Sequence, residues 1–552
     1  MPMLVDIMRP LLVPVFVILL PSVYAQSLGT APPAGLYEVD LNTAFRLPPL
    51  RDTSDGGLIS ALSSTQVGQR AAALSLNGTS PFDAWSKASN ILSLPAIAPC
   101  SPRTVTFGGT SASQLNVLLG SGCVSITVSS PTLTIDQPIE INASGNTLDL
   151  GRCVLSSAGP LPYMLRVENA SNVSVRGGEF TGGMAGILIN SSSNVRVENV
   201  VMHGLASDGI VVTNSTSVMV AHNRMRQLSG AGILLHNGAS LSVVQFNEVA
   251  RNQGFSNLAA GVVITDRDVD LISNPQAIFG PDGYWPVPEP ITARIHPPHD
   301  NVIVFNRIFQ NLSSGIYSDG GVRNTYASNT VTGNSKEGLC LDYGSTANVV
   351  TGNVFAQNGD RWGDPDWVLA ADSISGGGRL ADGTAAEKVP GVSLDNAMYN
   401  VVFANNLAHN FGGGIKLVRT GYFNLIGMNS LFSNNDGAGD SFHFFGIELG
   451  AAAGDTTSAA LDYTPSRGNI VFSNPIRGNH YSGIFFDAGS DLNNVFDNTI
   501  MDAQAWALES AAVMANDSLN NLTNISSRNI GSGLDPALLT IGQPVLDPPH
   551  LD

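Results

Sequence analysis

The amino-acid sequence predicts an all-β solenoid wound in coils of about 23 residues, and three observations predict it. Short runs opening on glycine and a branched apolar residue recur at Gly186-Ile187, Gly209-Ile210, Gly232-Ile233, Gly261-Val262, Gly315-Ile316, Gly338-Leu339, Gly391-Val392, Gly414-Ile415, Gly446-Ile447 and Gly483-Ile484, with uninterrupted steps of 23 residues. A second column of short runs ends in asparagine at Asn199, Asn223, Asn247, Asn306, Asn329, Asn353, Asn406, Asn429, Asn474 and Asn498, with clean steps of 23 or 24. The composition agrees: 43% hydrophobic, only 13% charged and 58 glycines suit short strands and many turns better than solvent-covered helices.

Each run alternates with period two, as in Val195 and Val197 or Val302 and Val304, so each unit carries short strands with one face in and one out. A 23-residue unit is too short for a βαβ crossover, which needs about 30 residues. One coil of a stack fits it, and stacking lets 552 residues share one elongated core.

Asparagines at the same turn of successive coils can bond their amides up and down the stack, satisfying turn backbone that would otherwise be stranded. This ladder resembles that of the right-handed parallel β-helix superfamily, which includes pectate lyases and related polysaccharide enzymes. The resemblance spans Val124 to Asp502 and implies an all-β, single-stranded right-handed parallel β-helix, with loop insertions near 267–299 and 358–390. Open ends need caps. Short amphipathic helices over Pro81 to Leu94 and Ala503 to Met514 are expected to supply them, within an N-terminal arm and cap (26–123) and a C-terminal cap and tail (503–552).

Residues 1–25 read as a secretory signal: Arg9, an apolar run from Leu11 to Leu20, and Ala25 before the cut. A secreted or periplasmic protein without a membrane span is expected. The formal charge of −18 argues against nucleic acid as a partner, because phosphate binding needs clustered Lys and Arg. Among four cysteines, Cys100, Cys123 and Cys153 cluster and predict one disulfide there, leaving Cys340 solitary. Asn-x-Ser/Thr triplets at Asn77, Asn169, Asn311 and Asn521 could carry glycans.

Counting from the repeat glycine as zero, positions one and three are apolar and face the core, so two and four are expected at solvent. Position four then presents Asp319, Asp342 and Asp395 on consecutive coils. With strands roughly 4.8 Å apart the three carboxylates form a repelling row, which calls for a cation or a shared proton. Lys416 and Arg419 on the next coil are the nearby cations. Neighbouring rungs bracket the carboxyl separation of retaining glycosidases and alternate rungs that of inverting ones. The row could instead hold Ca²⁺, with Lys416 or Arg419 abstracting a proton in a lyase reaction. The two insertions carry Tyr284, Trp285, Arg361, Trp362 and Trp367, whose flat rings and guanidinium group suit the walls of a sugar-binding cleft.

Pro297-Pro298-His299-Asp300 resembles the Asp-Pro-His-Asp/Glu motif of mannuronan C5-epimerases, which are also right-handed β-helices. Pro297 stands where that motif has its aspartate, which leaves His299 as the acid or base and His296 in reserve. Three functions follow: a polysaccharide hydrolase working through paired aspartates, a calcium-dependent lyase or C5-epimerase, and a non-catalytic glycan-binding or structural module. Homotrimers packed along the solenoid axis are compatible with any of them.

Overall fold

The computed structural model describes residues 102–254, 259–267, 296–359, 389–418, 421–434, 445–450, 466–478, 482–486, 490 and 493–501, with short strands at 508–510, 525–527 and 530–531. The expected signal, arm and first capping helix lie outside these residues, as do most of both insertions. Among the described residues no helix is long and apolar enough to cross a membrane.

The chain forms the predicted parallel β-solenoid. A coil consists of three strands, as in Val302–Val304, Arg307–Phe309 and Ile316–Asp319. The first two strands of a coil, merged into one long strand in Thr147–Ser157 and Ser171–Thr181, join a 27-stranded sheet and the third joins a 13-stranded sheet. Pairing is parallel throughout and extends beyond the expected 124–502 span, from Arg103–Phe107 on Val124–Val128 to Thr499–Met501 on Ile530–Gly531. One described helix, Ala112–Leu119, buries Ala112, Leu115 and Leu119 against the first coils. The helix expected over 503–514 is corrected in its centre: Leu508–Ser510 is a strand, with Leu508 in register with Ile484 of the preceding coil. The spacing read as a helical face serves the sheet register instead.

The glycine column reflects close approach of coil to coil. A Cβ on Gly315 would lie 2.2 Å from Val331 Cγ1 and 2.8 Å from the Gly338 carbonyl oxygen, so a side chain there would force the coils apart. The residues after the glycine, such as Ile316, Leu339 and Val392, are fully buried in one continuous core.

Asparagine ladders occupy all three corners. One runs through Asn223, Asn247, Asn306, Asn329, Asn353, Asn405, Asn429, Asn474 and Asn498. A second links Asn301, Asn324, Asn348, Asn400, Asn424, Asn469 and Asn493, and a third links Asn252, Asn311, Asn334, Asn358, Asn410 and Asn434. In each, the amide oxygen accepts the backbone N–H of the asparagine one coil earlier, and a residue with positive φ precedes it at nearly every turn. Asn199 and Asn406 are therefore not rungs. Asn199 holds the positive-φ place at φ 57°, and Asn406 opens the strand Asn406–Ala408. Asn311 is a fully buried rung, which removes it as a glycan acceptor.

Cys123 is disulfide-bonded, while Cys153 and Cys340 are free buried thiols. Asp208, just before the repeat Gly209, is completely buried. Its Oδ1 accepts the Ala231 N–H at 2.7 Å and its Oδ2 the Ser207 hydroxyl at 3.3 Å, yet burial pushes its carboxyl up to about 7. A raised carboxyl value stabilises the fold below the unfolded value, and that gain is lost as pH rises towards the folded value. Asp208 alone is expected to cost about 2 kcal/mol of stability between pH 5 and pH 6.5. Asp208→Asn should flatten that slope in urea titrations at the two pH values, and an unchanged slope would refute the assignment.

Candidate functional site

The third-strand sheet carries the three aspartates at the ends of successive strands. Asp319 is in register with Asp342, Leu341 with Leu394 on the next coil, and Asp395 with Val418 on the coil after that. The row is nevertheless not open to solvent along its length. Asp319 is fully buried, Asp342 is 5% exposed and Asp395 is half-buried. The expectation that positions two and four face water is thus corrected. At position two, Leu188, Val211, Leu234, Val263, Tyr317 and Cys340 belong to a second apolar cluster on the outer side of the sheet. Their side chains point away from the main core without reaching water.

Each aspartate has its own environment. Asp319 Oδ2 receives the Arg267 Nε–H at 2.5 Å and the Thr265 hydroxyl at 3.4 Å. Burial opposes the charge on Arg267, but Asp319 more than compensates and the guanidinium is held above its ordinary value. Its carbon lies 5.8 Å from the Tyr343 ring centre. Upstream, His236 Nε2 lies 2.6 Å from the Arg267 carbonyl oxygen, which fixes that nitrogen as the donor.

Asp342 lies between the other two. Tyr317 donates its hydroxyl to Oδ2 at 2.8 Å, and the Tyr343 backbone N–H donates to Oδ1 at 2.8 Å. Burial first, then the charges of Asp395 and Asp319, push the Asp342 carboxyl well above the ordinary carboxylate value. The same burial, with the charges of Asp342 and Asp319, drives the Tyr317 phenol well up. Two features bear on the repulsion foreseen in the sequence: a cation pairs with Asp319, and the carboxyl of Asp342 is pushed towards its neutral form.

Lys416 stands in the position-two column, in register with Ser393 and Glu448 rather than with the aspartates, and its Nζ lies 3.5 Å from Glu448 Oε1. Cys340, between Tyr317 and Ser393 in that column, is buried and its thiol is pushed well up, which makes it a poor nucleophile. His299 lies at a corner, bridged to Ser240 and Val322, with Nδ1 2.7 Å from Asp300 Oδ2. Arg323 grips the same Asp300 with Nε at 3.0 Å and Nη2 at 2.7 Å. Although burial opposes it, this pairing holds the Asp300 carboxyl below its usual value. The side-chain partner of His299 is therefore Asp300 and not the aspartate row. His296 contributes its carbonyl oxygen to the Gly238 N–H at 2.6 Å. Arg419, Tyr284, Trp285, Arg361, Trp362 and Trp367 lie outside the described residues. Among the described residues, no group of three or more His, Cys, Asp or Glu side chains is arranged to hold a metal ion.

Sequence reasoning missed Arg267 and Tyr317. Tyr317 lies two residues before Asp319 on the same strand and was assigned to solvent. Arg267 follows position-four Thr265 by two residues, at the mouth of an insertion, where the repeat offers no register to read.

The family described as right handed beta helix region matches residues 139–277, and the family described as periplasmic copper-binding protein (NosD) matches residues 293–442. No curated protein sequence matches significantly. Two solved mannuronan C-5 epimerase A-modules from Azotobacter vinelandii are similar in structure. One is 12% identical, with 79% of this chain and 89% of that chain covered at a TM-score of 0.40, and the other is 14% identical, with 78% and 94% covered at 0.41. An alginate lyase from Paenibacillus sp. is 14% identical, with 68% and 94% covered at a TM-score of 0.32. The chain is a right-handed parallel β-helix protein.

Proposed function

We propose that the chain is an exported polysaccharide-cleaving enzyme in which Asp342 donates the proton to the glycosidic oxygen and Asp395 is the partner carboxylate. The observation that carries this reading is the different environments of equivalent carboxyls on neighbouring rungs. Asp342 is hydrogen-bonded by Tyr317 and pushed well up, while Asp395 is half-buried. Such divergence within one row is the pattern expected of an acid and its partner. Adjacent strands lie roughly 4.8 Å apart, close to the 5–5.5 Å between the carboxyls of glycosidases that retain anomeric configuration. Asp395 then attacks the anomeric carbon as the leaving oxygen takes the Asp342 proton, and water activated by Asp342 releases the sugar. Arg267 neutralises Asp319, so the reacting pair faces one fewer uncompensated charge. Substrate enters from the Asp395 and Lys416 end, where burial relaxes.

A calcium-dependent lyase or epimerase is the second reading. It is favoured by His299, whose bond to Asp300 leaves Nε2 to exchange a proton. Incubating the full chain with neutral and acidic polysaccharides, with and without EDTA, separates the two. The hydrolase reading expects new reducing ends of retained configuration, indifference to EDTA, and a loss on the order of 10²-fold or more in Asp395→Asn. Ultraviolet-absorbing unsaturated products, or no change in any glycan, would overturn it.

A further inference from the structure

The second strands of three coils, the last of them the coil of Asp319, carry on the neighbouring side of the solenoid a cationic and aromatic surface that the aspartate chemistry does not use. On three successive coils His222, Phe246 and Phe305 occupy one corner at φ 57°, 53° and 57°. Their rings stack with centroids 5.1 and 5.2 Å apart and planes within 9°. One buried asparagine further along each coil, Arg224, Glu248 and Arg307 stand in register, followed by Arg226, Ala250 and Phe309. Arg251 closes the patch, its Nε donating to Gln310 Oε1 at 3.0 Å.

The arginines outnumber the acid they surround. Arg224 and Arg307 reach Glu248 at 3.3 and 3.6 Å, and Arg226 bonds it directly. Their side chains are 57%, 65% and 43% exposed against 20% for Glu248, so the guanidinium groups remain presented to solvent. Burial pushes the Glu248 carboxyl up, yet Arg226, Arg224 and Arg307 together hold it below its ordinary value. The local field thus stays cationic after the glutamate is counted, in a chain whose formal charge is −18. The Arg307 guanidinium also packs 4.4 Å over the Phe309 ring, which fixes its direction.

We propose that this face binds an anionic polysaccharide, with the arginines taking carboxylate or sulfate groups on successive sugars. Guanidinium forks match planar and tetrahedral oxyanions, and rungs roughly 4.8 Å apart set them out at regular intervals along an extended chain. The His222, Phe246 and Phe305 stack forms an apolar kerb beside them. Because those rings cover one another, they offer edges rather than faces, and a single-stranded nucleic acid finds no platform for its bases. A neutral glycan has no use for four arginines.

The test titrates the full chain with heparin, polygalacturonate, dextran and single-stranded DNA, at low and high salt. The expected result is binding to heparin, polygalacturonate or both, weakened by salt, with dextran not bound. The stronger of the two polyanions identifies sulfate or carboxylate as the recognised group. The triple variant Arg224→Gln, Arg226→Gln, Arg307→Gln should lose about tenfold or more in affinity, whereas Glu248→Gln, which removes the acid these arginines surround, should bind more tightly than the wild type. Asp342→Asn should bind as the wild type does, which keeps this site separable from the cleavage reaction. Absent binding to both polyanions, equal affinity in the triple variant, or tighter binding of DNA than of either glycan would overturn the proposal.

Discussion

Asp342→Asn is expected to lower the rate of glycan cleavage by on the order of 10²–10⁴-fold while leaving the protein folded. The amide oxygen can accept the Tyr343 N–H in place of Oδ1, and the amide NH2, standing in place of Oδ2, can donate to the Tyr317 hydroxyl oxygen once that hydroxyl turns, but the amide cannot deliver a proton to a leaving group. Stability should not suffer. A carboxyl whose folded value is raised contributes most below its unfolded value and loses that contribution as pH rises, so a neutral amide matches or exceeds it near pH 7. Wild-type activity should decline as pH rises through the elevated Asp342 value, and Tyr317→Phe should shift that limb, since its hydroxyl bond favours the ionised form. A pH–rate profile and circular dichroism check both parts. Activity within a few-fold of wild type in Asp342→Asn would remove Asp342 from the reaction.

Asn405→Ala should destabilise the solenoid by about 3 kcal/mol, while Asn406→Ala, one residue away, should cost less than about 1 kcal/mol. The Asn405 side chain accepts the backbone and side-chain N–H groups of Asn353 at 3.0 and 2.9 Å and donates to the Val350 carbonyl and the Asn429 amide oxygen, both at 2.9 Å. Alanine leaves the buried backbone N–H of Asn353 without its acceptor. Asn406 begins a strand and is half-buried. Urea midpoints of the two variants decide the matter, and equal losses would refute the assignment of the ladder.

These two asparagines show why the repeat was readable and its detail was not. The glycine column is dictated by coil-to-coil contact, and no other residue tolerates the 2.2 Å approach found at Gly315. Asparagine, by contrast, serves both as the buried rung and as a residue at ease with positive φ, as at Asn199. One letter therefore marks two adjacent places, and two of the three ladders merged into the general abundance of asparagine. The aspartate row was legible because position counting from a fixed glycine is reliable along a short strand. Its burial was not, because alternation reports which way a side chain points and nothing of what lies over it. Arg267 and the Asp300 partner of His299 depend on chain that enters and leaves an insertion, where no period constrains them.

The three ladders also give the rod a direction. Every rung turns its amide oxygen towards the preceding coil and sends one N–H on to the next, as Asn306, Asn329 and Asn353 do in turn. Where each stack opens, inside the solenoid, its first oxygen is taken by a backbone N–H of the coil before it: Val200 donates to Asn223, Leu228 to Asn252 and Ser242 to Asn301. The polarity thus holds even where the earlier coil lacks the asparagine, and a coil added in reverse orientation would meet oxygen with oxygen.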